Sequence, residues 1–108
     1  VIIMAIDINK DNLEKEILKA QGVIVADFWA PWCGPCRKLG PVLEELEETF
    51  EGKMKLVKVN ADENLDILKQ FLVSGLPTLL VFKNGEPVER MSGLIPKSAI
   101  INNIEKHL

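Results

Sequence analysis

Cys33 and Cys36 are the residues of this sequence with the clearest chemical potential, and the chain has no other cysteine. Two thiols three positions apart at the start of a helix have Cα atoms about 5 to 6 Å apart, which a disulfide tolerates. Such a pair serves as a redox dithiol, as half of a metal site or as a structural disulfide. These three uses predict different surroundings in the rest of the chain.

The alternatives to redox chemistry find little support elsewhere in the sequence. A closed zinc site takes four ligands, but the chain adds one imidazole, His107, about 70 residues away. A structural disulfide restricts the unfolded chain, and a four-residue loop yields only about 2 kcal/mol in this way. We therefore favour a redox dithiol with no metal, and we expect His107 to be an ordinary surface residue.

The start of a helix predicts different roles for the two thiols. The Cys33 sulfur would meet unpaired backbone N–H groups and the positive end of the helix dipole, so we predict Cys33 as the nucleophile. A lower thiol pKa also lowers nucleophilicity, so more of the rate should come from Cys36, the resolving thiol held beside the mixed disulfide. Pro35 suits the first helical turn, and Gly34 removes bulk from the approach to sulfur.

Hydrophobic patterning predicts the elements that position this pair. Residues 23–28 are almost unbroken apolar, typical of a central strand covered on both faces, and Asn84-Gly85 is a strong hairpin signal. The predicted strands cover residues 1–6, 23–28, 55–60, 78–83 and 86–91. A helix capped by Asn9 or Asp11 follows the first strand, and a helix that Pro41 should kink follows the cysteines. Two further helices are predicted over 65–71 and 97–106. This βαβαβαββα order predicts an α/β fold with a mixed central sheet between helices.

Length and composition favour a single domain over residues 1–108. With 47% apolar residues the chain can bury a core, and no repeat or linker-like stretch divides it. The net charge of −3 argues against nucleic-acid binding, and no apolar run approaches the ~20 residues of a membrane-spanning helix. Residues 1–6 lack the basic start of a signal peptide, so we expect a cytoplasmic monomer without membrane attachment.

The sequence resembles the thioredoxin family over essentially its whole length. The family's active-site segment resembles residues 27–36, DFWAPWCGPC, its cis-proline loop resembles 75–78, GLPT, and its hairpin resembles 83–85, KNG. The resemblance implies the thioredoxin fold, with five strands and four α-helices, and protein-disulfide reduction. Cys33 would attack a disulfide of a substrate protein, Cys36 would resolve the mixed disulfide, and a thioredoxin reductase would restore the dithiol. No bound cofactor is needed beyond this redox-active disulfide.

Asp27 is the odd residue in the apolar strand. Burial without a partner is costly for a carboxylate, so the pKa of Asp27 should rise and suit a general base or acid; an aspartate satisfied by backbone is the alternative. The resemblance implies that Asp27 lies beneath the disulfide and takes the proton of Cys36 through water. It also implies that Lys58 lies near Asp27 and modulates that titration, whereas a solvated lysine is the alternative.

The loop before the hairpin is the third expected part of the site. The resemblance implies a cis peptide bond between Leu76 and Pro77 that faces the cysteines. It also implies that a substrate strand pairs with the backbone of Leu76. Trp32, Gly75, Leu76 and Gly93 are expected to frame an apolar, largely uncharged groove that suits many protein substrates.

Two other functions stay open within the same fold. The chain has no histidine between its cysteines to stabilise a thiolate, which favours a reductant over a thiol oxidant or isomerase. A non-enzymatic binding subunit is the other alternative.

The sequence departs from the family pattern at Ser74 and Gly40. Members are often basic at the position of Ser74, so partner preference is expected to differ. Many have alanine or serine at the position of Gly40, and glycine there should loosen the helix by up to about 1 kcal/mol. Trp29 is expected to pack rather than to contact substrates.

Overall fold

The computed structural model describes residues 5–108, so most of the strand predicted over 1–6 lies outside the described residues. The described strands are β1 (Ile6–Asp7), β2 (Val23–Trp29), β3 (Met54–Asn60), β4 (Thr78–Lys83) and β5 (Glu86–Ser92). The α-helices are α1 (Gly34–Thr49), α2 (Leu65–Gln70) and α3 (Lys97–Glu105), and a π-helical segment covers Glu14–Leu18. The predicted order of strands and helices is confirmed, and the ends of the later elements fall close to the predicted ones.

β2 is the central strand of a five-stranded sheet with the order β1-β3-β2-β4-β5. β1, β3 and β2 are parallel, whereas β4 is antiparallel to β2 and β5 is antiparallel to β4. Every residue of β2 except the last is buried, as expected of an apolar strand with neighbours on both sides and helices on both faces. The predicted α/β fold with a mixed five-stranded sheet is therefore confirmed.

The two faces of β2 belong to two different core clusters. Ile24, Ala26 and Phe28 pack with the π-helical segment and α2, whereas Val23 and Val25 pack with α1 and α3. Successive strand residues point to opposite faces. The odd-numbered residues of β2 therefore lie beneath α1, the helix that carries Cys36.

Asn9 begins the first helical region. Its Oδ1 accepts the backbone N–H groups of Asp11 at 2.8 Å and Asn12 at 3.2 Å, and Asn12 Oδ1 accepts the N–H of Asn9 at 2.8 Å. The Asn9 side chain thus accepts backbone N–H groups within the turn, and the Asn12 side chain accepts the N–H of Asn9 in return. Of the two predicted caps, the structure has Asn9.

The first of the four predicted α-helices is π-helical instead. The N–H of Lys19 donates to the carbonyl of Glu14 at 2.7 Å, a bond that spans five residues. This wider turn aligns residues four and five apart, and Leu13, Ile17 and Leu18 all pack in the same core cluster. Core packing of this spacing favours the wider turn over a regular α-helix.

The cysteine motif leads directly into α1. The helix begins at Gly34, has Pro35 in its first turn as predicted, and continues through Pro41 to Thr49. Its buried residues form one stripe along the helix: Cys36, Leu39, Gly40, Leu43, Leu46 and Glu47. Cys36 therefore faces the sheet.

The hairpin between β4 and β5 turns through Asn84 and Gly85, which have φ values of 51° and 86°. The N–H of Gly22 donates to Asn84 Oδ1 at 2.7 Å, which ties the turn to the start of β2. A Cβ at Gly85 would collide with the carbonyl oxygen of Leu18. The predicted turn residues are thus required both for the backbone conformation and for this close approach.

Candidate active site

Cys33 and Cys36 form a disulfide with their Cα atoms 5.3 Å apart. Cys33 is the residue before α1 and has extended backbone, so its sulfur accepts the backbone N–H of Cys36 at 3.3 Å. This N–H is one of the helix donors that lack an intrahelical partner. Donors of this kind and the helix dipole generally favour a thiolate over a thiol at the start of a helix.

Asp27 is a buried carboxylate in the middle of the sheet. The residue is 1% exposed, and its β2 position pairs with Lys58 of β3 and Leu79 of β4. Burial raises the pKa of Asp27 to about 6, and the nearby charge of Lys58 opposes part of that rise. Because this pKa lies close to neutral pH, Asp27 can both take up and release a proton.

Asp27 and Cys36 lie between the same two layers of the fold. Asp27 shares the face of β2 with Val23 and Val25, which pack against α1. Cys36 belongs to the buried stripe by which α1 contacts that face. The layers therefore place the carboxylate beneath the helix that carries Cys36.

Lys58 is a partly buried lysine, not a solvated one. Its side chain is 24% exposed, and its Nζ lies 3.7 Å from Glu44 Oε1 and 5.7 Å from the centre of the Trp29 ring. Trp29 itself packs beside a cluster that contains both cysteines. Lys58 thus connects Asp27, its neighbour in the sheet, with the underside of α1.

The loop before β4, which contains Leu76 and Pro77, contacts the residue after β5, Gly93. The peptide bond between Leu76 and Pro77 is cis, and the Thr78 hydroxyl donates to the carbonyl of Gly75 at 2.7 Å. The N–H of Gly93, which has a φ of 79°, donates to the carbonyl of Pro77 at 3.1 Å. Leu76 packs against the cysteine cluster, so this loop borders the disulfide.

Comparison with known proteins agrees with this geometry. The Thioredoxin family model matches residues 4–106. Thioredoxin 1 of Nostoc sp. is 41% identical over 104 residues, which cover 96% of this chain and 97% of the relative. The thioredoxin of Bacillus subtilis is 49% identical over 89 residues, 82% of this chain and 86% of the relative. That of Haemophilus influenzae is 45% identical over 101 residues, 94% of each.

This chain belongs to the thioredoxin family. Thioredoxins are thiol-disulfide oxidoreductases, and the joined Cys33–Cys36 pair supplies the groups that this chemistry requires. The chain is therefore a thiol-disulfide oxidoreductase that works by exchange between its dithiol and disulfide forms. Members of the thioredoxin family act on substrate proteins and are served by thioredoxin reductase.

Trp32 is an exposed aromatic residue in the cysteine motif. The residue is 68% exposed, and its indole Nε1 donates to Asp62 Oδ1 at 3.0 Å. This bond holds an apolar surface in the solvent beside the disulfide.

A groove of about 530 Å³ runs from the cysteine motif along α1. Pro35, Pro77 and Gly93 line the end near the disulfide, and Leu94 is 92% exposed at its edge. Of the residues predicted to frame a groove, Gly93 lines this one, whereas Trp32, Gly75 and Leu76 lie outside its lining. Three cations also line it: Arg37, Lys38 and Lys97. This groove along α1 is thus largely apolar with a cationic border, and the groove predicted around Trp32, Gly75, Leu76 and Gly93 stays a prediction.

His107 lies away from the cysteines. Its Nε2 is 2.7 Å from Glu89 Oε2, so it ties the end of α3 to β5 and lowers the pKa of Glu89. Across residues 5–108, no group of three or more His, Cys, Asp or Glu side chains is placed to hold a metal ion. None of the helices in that range combines the length and apolarity needed to cross a membrane.

Two carboxylates near the site were missed by sequence reasoning. Neither Glu44 nor Asp62 was among the site residues predicted from the sequence. Asp62 lies two residues after the end of β3, at the carboxyl end of a parallel strand, where functional side chains gather. Glu44 follows Gly40 by one helical turn, and only the position of Lys58 reveals its partner.

Proposed function

We propose that this chain reduces disulfides in substrate proteins by two successive exchanges. The Cys33 thiolate attacks one sulfur of the substrate disulfide, forms a mixed disulfide and releases the first substrate thiolate. Cys36, after losing its proton, attacks the Cys33 sulfur, forms the Cys33–Cys36 disulfide and releases the second thiolate. Two electrons pass to the substrate. The observation that carries this assignment is the bond from the Cys36 N–H to the Cys33 sulfur at the start of α1.

Asp27 is proposed to receive the proton of Cys36. It is buried on the α1 side of the sheet, and its pKa of about 6 leaves most of it ionised at neutral pH while it remains basic enough to take up a proton. The transfer can pass through one water. Lys58 is the cation that limits the rise of the pKa of Asp27. The proton leaves Asp27 again when the dithiol is restored.

Substrate binding is proposed to combine backbone pairing with apolar contact. A substrate in extended conformation would add to the backbone of Leu76, beside the cis bond to Pro77. Trp32 and Gly93 would contact the flanking apolar side chains, and Gly75 would shape the loop. Since few side chains obstruct this surface, it suits substrates of varied sequence.

A thioredoxin reductase is proposed to regenerate the dithiol by returning two electrons and two protons. No bound cofactor takes part besides the disulfide. We further propose that residues 1–108 act as a single domain, as a monomer, in the cytoplasm, independently of nucleic acid and membranes. The net charge of −3 supports the absence of nucleic-acid binding.

Reduction of insulin disulfides tests the proposal. Cys33→Ser should abolish the activity, and Cys36→Ser should lose turnover and accumulate mixed disulfides with substrate proteins. Full activity of Cys33→Ser would overturn the proposal. Full biological function of a double Cys→Ser variant would instead identify a binding subunit.

The reduction potential tests the direction of electron flow. We expect a value in the range of cellular reductants, near or below about −230 mV. A value near about −120 mV, typical of the strongest thiol oxidants, would assign the chain to oxidation or isomerisation.

A further inference from the structure

Lys58 occupies the middle of a row of charged residues. The strand register places Asp27 of β2 on one side of it and Asp7 of β1 on the other. Side chains in register on parallel strands share a face, and α1 covers this face with Glu44. On β4 the neighbour of Asp27 is Leu79, which has no charge. Three carboxylates from three elements therefore share this face with Lys58, and Glu44 is the one within ion-pair distance of its ammonium group.

The ammonium group of Lys58 lies against α1. Its Nζ is 3.7 Å from Glu44 Oε1 and 5.7 Å from the centre of the Trp29 ring. Gly40 lies one helical turn before Glu44, and a Cβ at Gly40 would be 3.8 Å from the same Nζ. A glutamate, an aromatic ring and a helix position without a side chain thus form the site in which the ammonium is held.

Asp27 lacks this cation as an ion-pair partner. Within residues 5–108, Lys58 makes an ion pair with Glu44 and none within 4.0 Å with Asp27. In the same part of the chain, Asp27 Oδ1 is buried without a hydrogen-bond partner. The two carboxylates compete for one ammonium group, and Glu44 holds it.

We propose that Glu44 is a positioning residue for the exchange reaction, because it holds Lys58 against α1 and so leaves Asp27 unpaired and able to take up a proton. This inference rests on the proposed role of Asp27 toward Cys36. Glu44 acts through Lys58 and does not itself exchange protons with the cysteines. The ionisation of Asp27 thus depends both on Lys58 of the sheet and on Glu44 of α1.

Loss of the Glu44 charge should lower the pKa of Asp27. The freed ammonium can turn toward Asp27, and a negative charge disappears from the same face, so both changes favour the ionised carboxylate. The pKa of Asp27 should therefore fall from about 6. We expect a shift on the order of half a pH unit, a threefold gain of ionised over protonated Asp27.

Carboxyl NMR of the full chain measures this directly. Asp27 is titrated in the disulfide form, in which the cysteines do not titrate, in the wild type, Glu44→Gln and Glu45→Gln. Glu45 is the matched control because it is the next residue of α1, carries the same charge, and pairs with Lys97 at 2.8 Å instead of Lys58. Glu44→Gln should lower the pKa of Asp27, and Glu45→Gln should move it by less than half as much. Equal shifts in the two variants would overturn the inference.

A second pair of variants tests whether the effect passes through Lys58. Lys58→Met should raise the pKa of Asp27, and adding Glu44→Gln to Lys58→Met should then produce a shift less than half of that in the wild type. An undiminished shift in the Lys58→Met background would contradict the positioning role. The acid limb of the pH profile for Cys36 attack on a mixed disulfide should follow the same order of variants.

Asp27→Asn separates this inference from the proposed function. If Asp27→Asn leaves the pH profile of the resolving step unchanged, the role of Asp27 in proton transfer is wrong, whatever the titration of Glu44→Gln shows. If Asp27→Asn removes the acid limb but Glu44→Gln leaves the titration of Asp27 in place, the proposed function stands and the positioning role of Glu44 is wrong.

Discussion

Asp27 and Glu47 are two buried carboxylates that differ in one hydrogen bond. Asp27 is 1% exposed and Glu47 is 7% exposed, and both lie between α1 and the sheet. Glu47 lies in the last turn of α1, and its Oε2 accepts the backbone N–H of Leu56 at 2.7 Å. Asp27 Oδ1 and Glu47 Oε1 both lack a protein hydrogen-bond partner within residues 5–108, but the Asp27 carboxylate has no backbone donor like that of Glu47, and burial raises its pKa to about 6. Glu47 is held by a backbone donor, whereas Asp27 remains available for proton transfer.

This difference shows that the space between α1 and the sheet holds both a structural carboxylate and one suited to proton transfer. A hydrogen bond from a backbone N–H stabilises the ionised form of a carboxylate and fixes its position. A carboxylate without such a donor destabilises the folded state when ionised, and this is the condition that makes it a useful base near neutral pH. The far end of α1 is thus anchored, while the end near the cysteines keeps an unsatisfied charge.

The largest expected effect on stability comes from Asp27→Asn. Because the folded state binds the Asp27 proton more tightly than the unfolded state, with a pKa of about 6 against 3.8, the contribution of Asp27 is fully present below pH 3.8 and is lost as pH rises through 6. The shift corresponds to about 3 kcal/mol. Asp27→Asn should therefore raise the free energy of unfolding by about 2 to 3 kcal/mol at pH 8 and leave it nearly unchanged at pH 3.5, as measured by urea unfolding.

The same variant should slow exchange. At pH 7 the resolving step should fall by about tenfold or more, since a positioned base contributes on the order of 10² or more. A variant that is destabilised at pH 8 would show that Asp27 is paired in the folded protein, and one stabilised equally at both pH values would show that the pKa of Asp27 is not raised. Either result would remove the contrast with Glu47.

A smaller effect of opposite sign is expected from Glu47→Ala. The change leaves the buried N–H of Leu56 without its acceptor, which costs about 1 to 2 kcal/mol of unfolding free energy. Glu47→Gln keeps an acceptor oxygen and should lose less. Urea unfolding measures both, and insulin reduction serves as the activity measurement. A changed pH profile of exchange in either variant would mean that Glu47, too, communicates with the cysteines.

The smallest effect is expected from Gly40→Ala. Alanine favours the helix by up to about 1 kcal/mol, and its methyl group would lie 3.8 Å from Lys58 Nζ, an ordinary contact. Thermal unfolding should therefore show a modest stabilisation with Lys58 still at Glu44. A destabilised variant would show that the ammonium group needs the open space at Gly40.

Sequence patterns were sufficient wherever one segment carries its own signal. The apolar run of β2, the Asn84-Gly85 turn and the spacing of Cys33 and Cys36 predicted the central strand, the hairpin and the redox pair. These features depend on neighbouring residues along the chain, because strand burial, positive φ and short cysteine spacing are local properties. The apolar neighbours of Asp27 in the sequence were also sufficient to predict that its pKa is raised.

Tertiary structure alone decided which charges meet. Glu44, Glu45, Glu47 and Glu48 are indistinguishable in the sequence as an acidic helix face, yet Glu44 holds Lys58, Glu45 holds Lys97 and Glu47 is buried against Leu56. The cations that line the groove along α1 were unforeseen for the same reason. Side-chain partners far apart in the chain depend on how α1 lies on the sheet, and a difference of one residue along a helix turns a side chain from solvent to core.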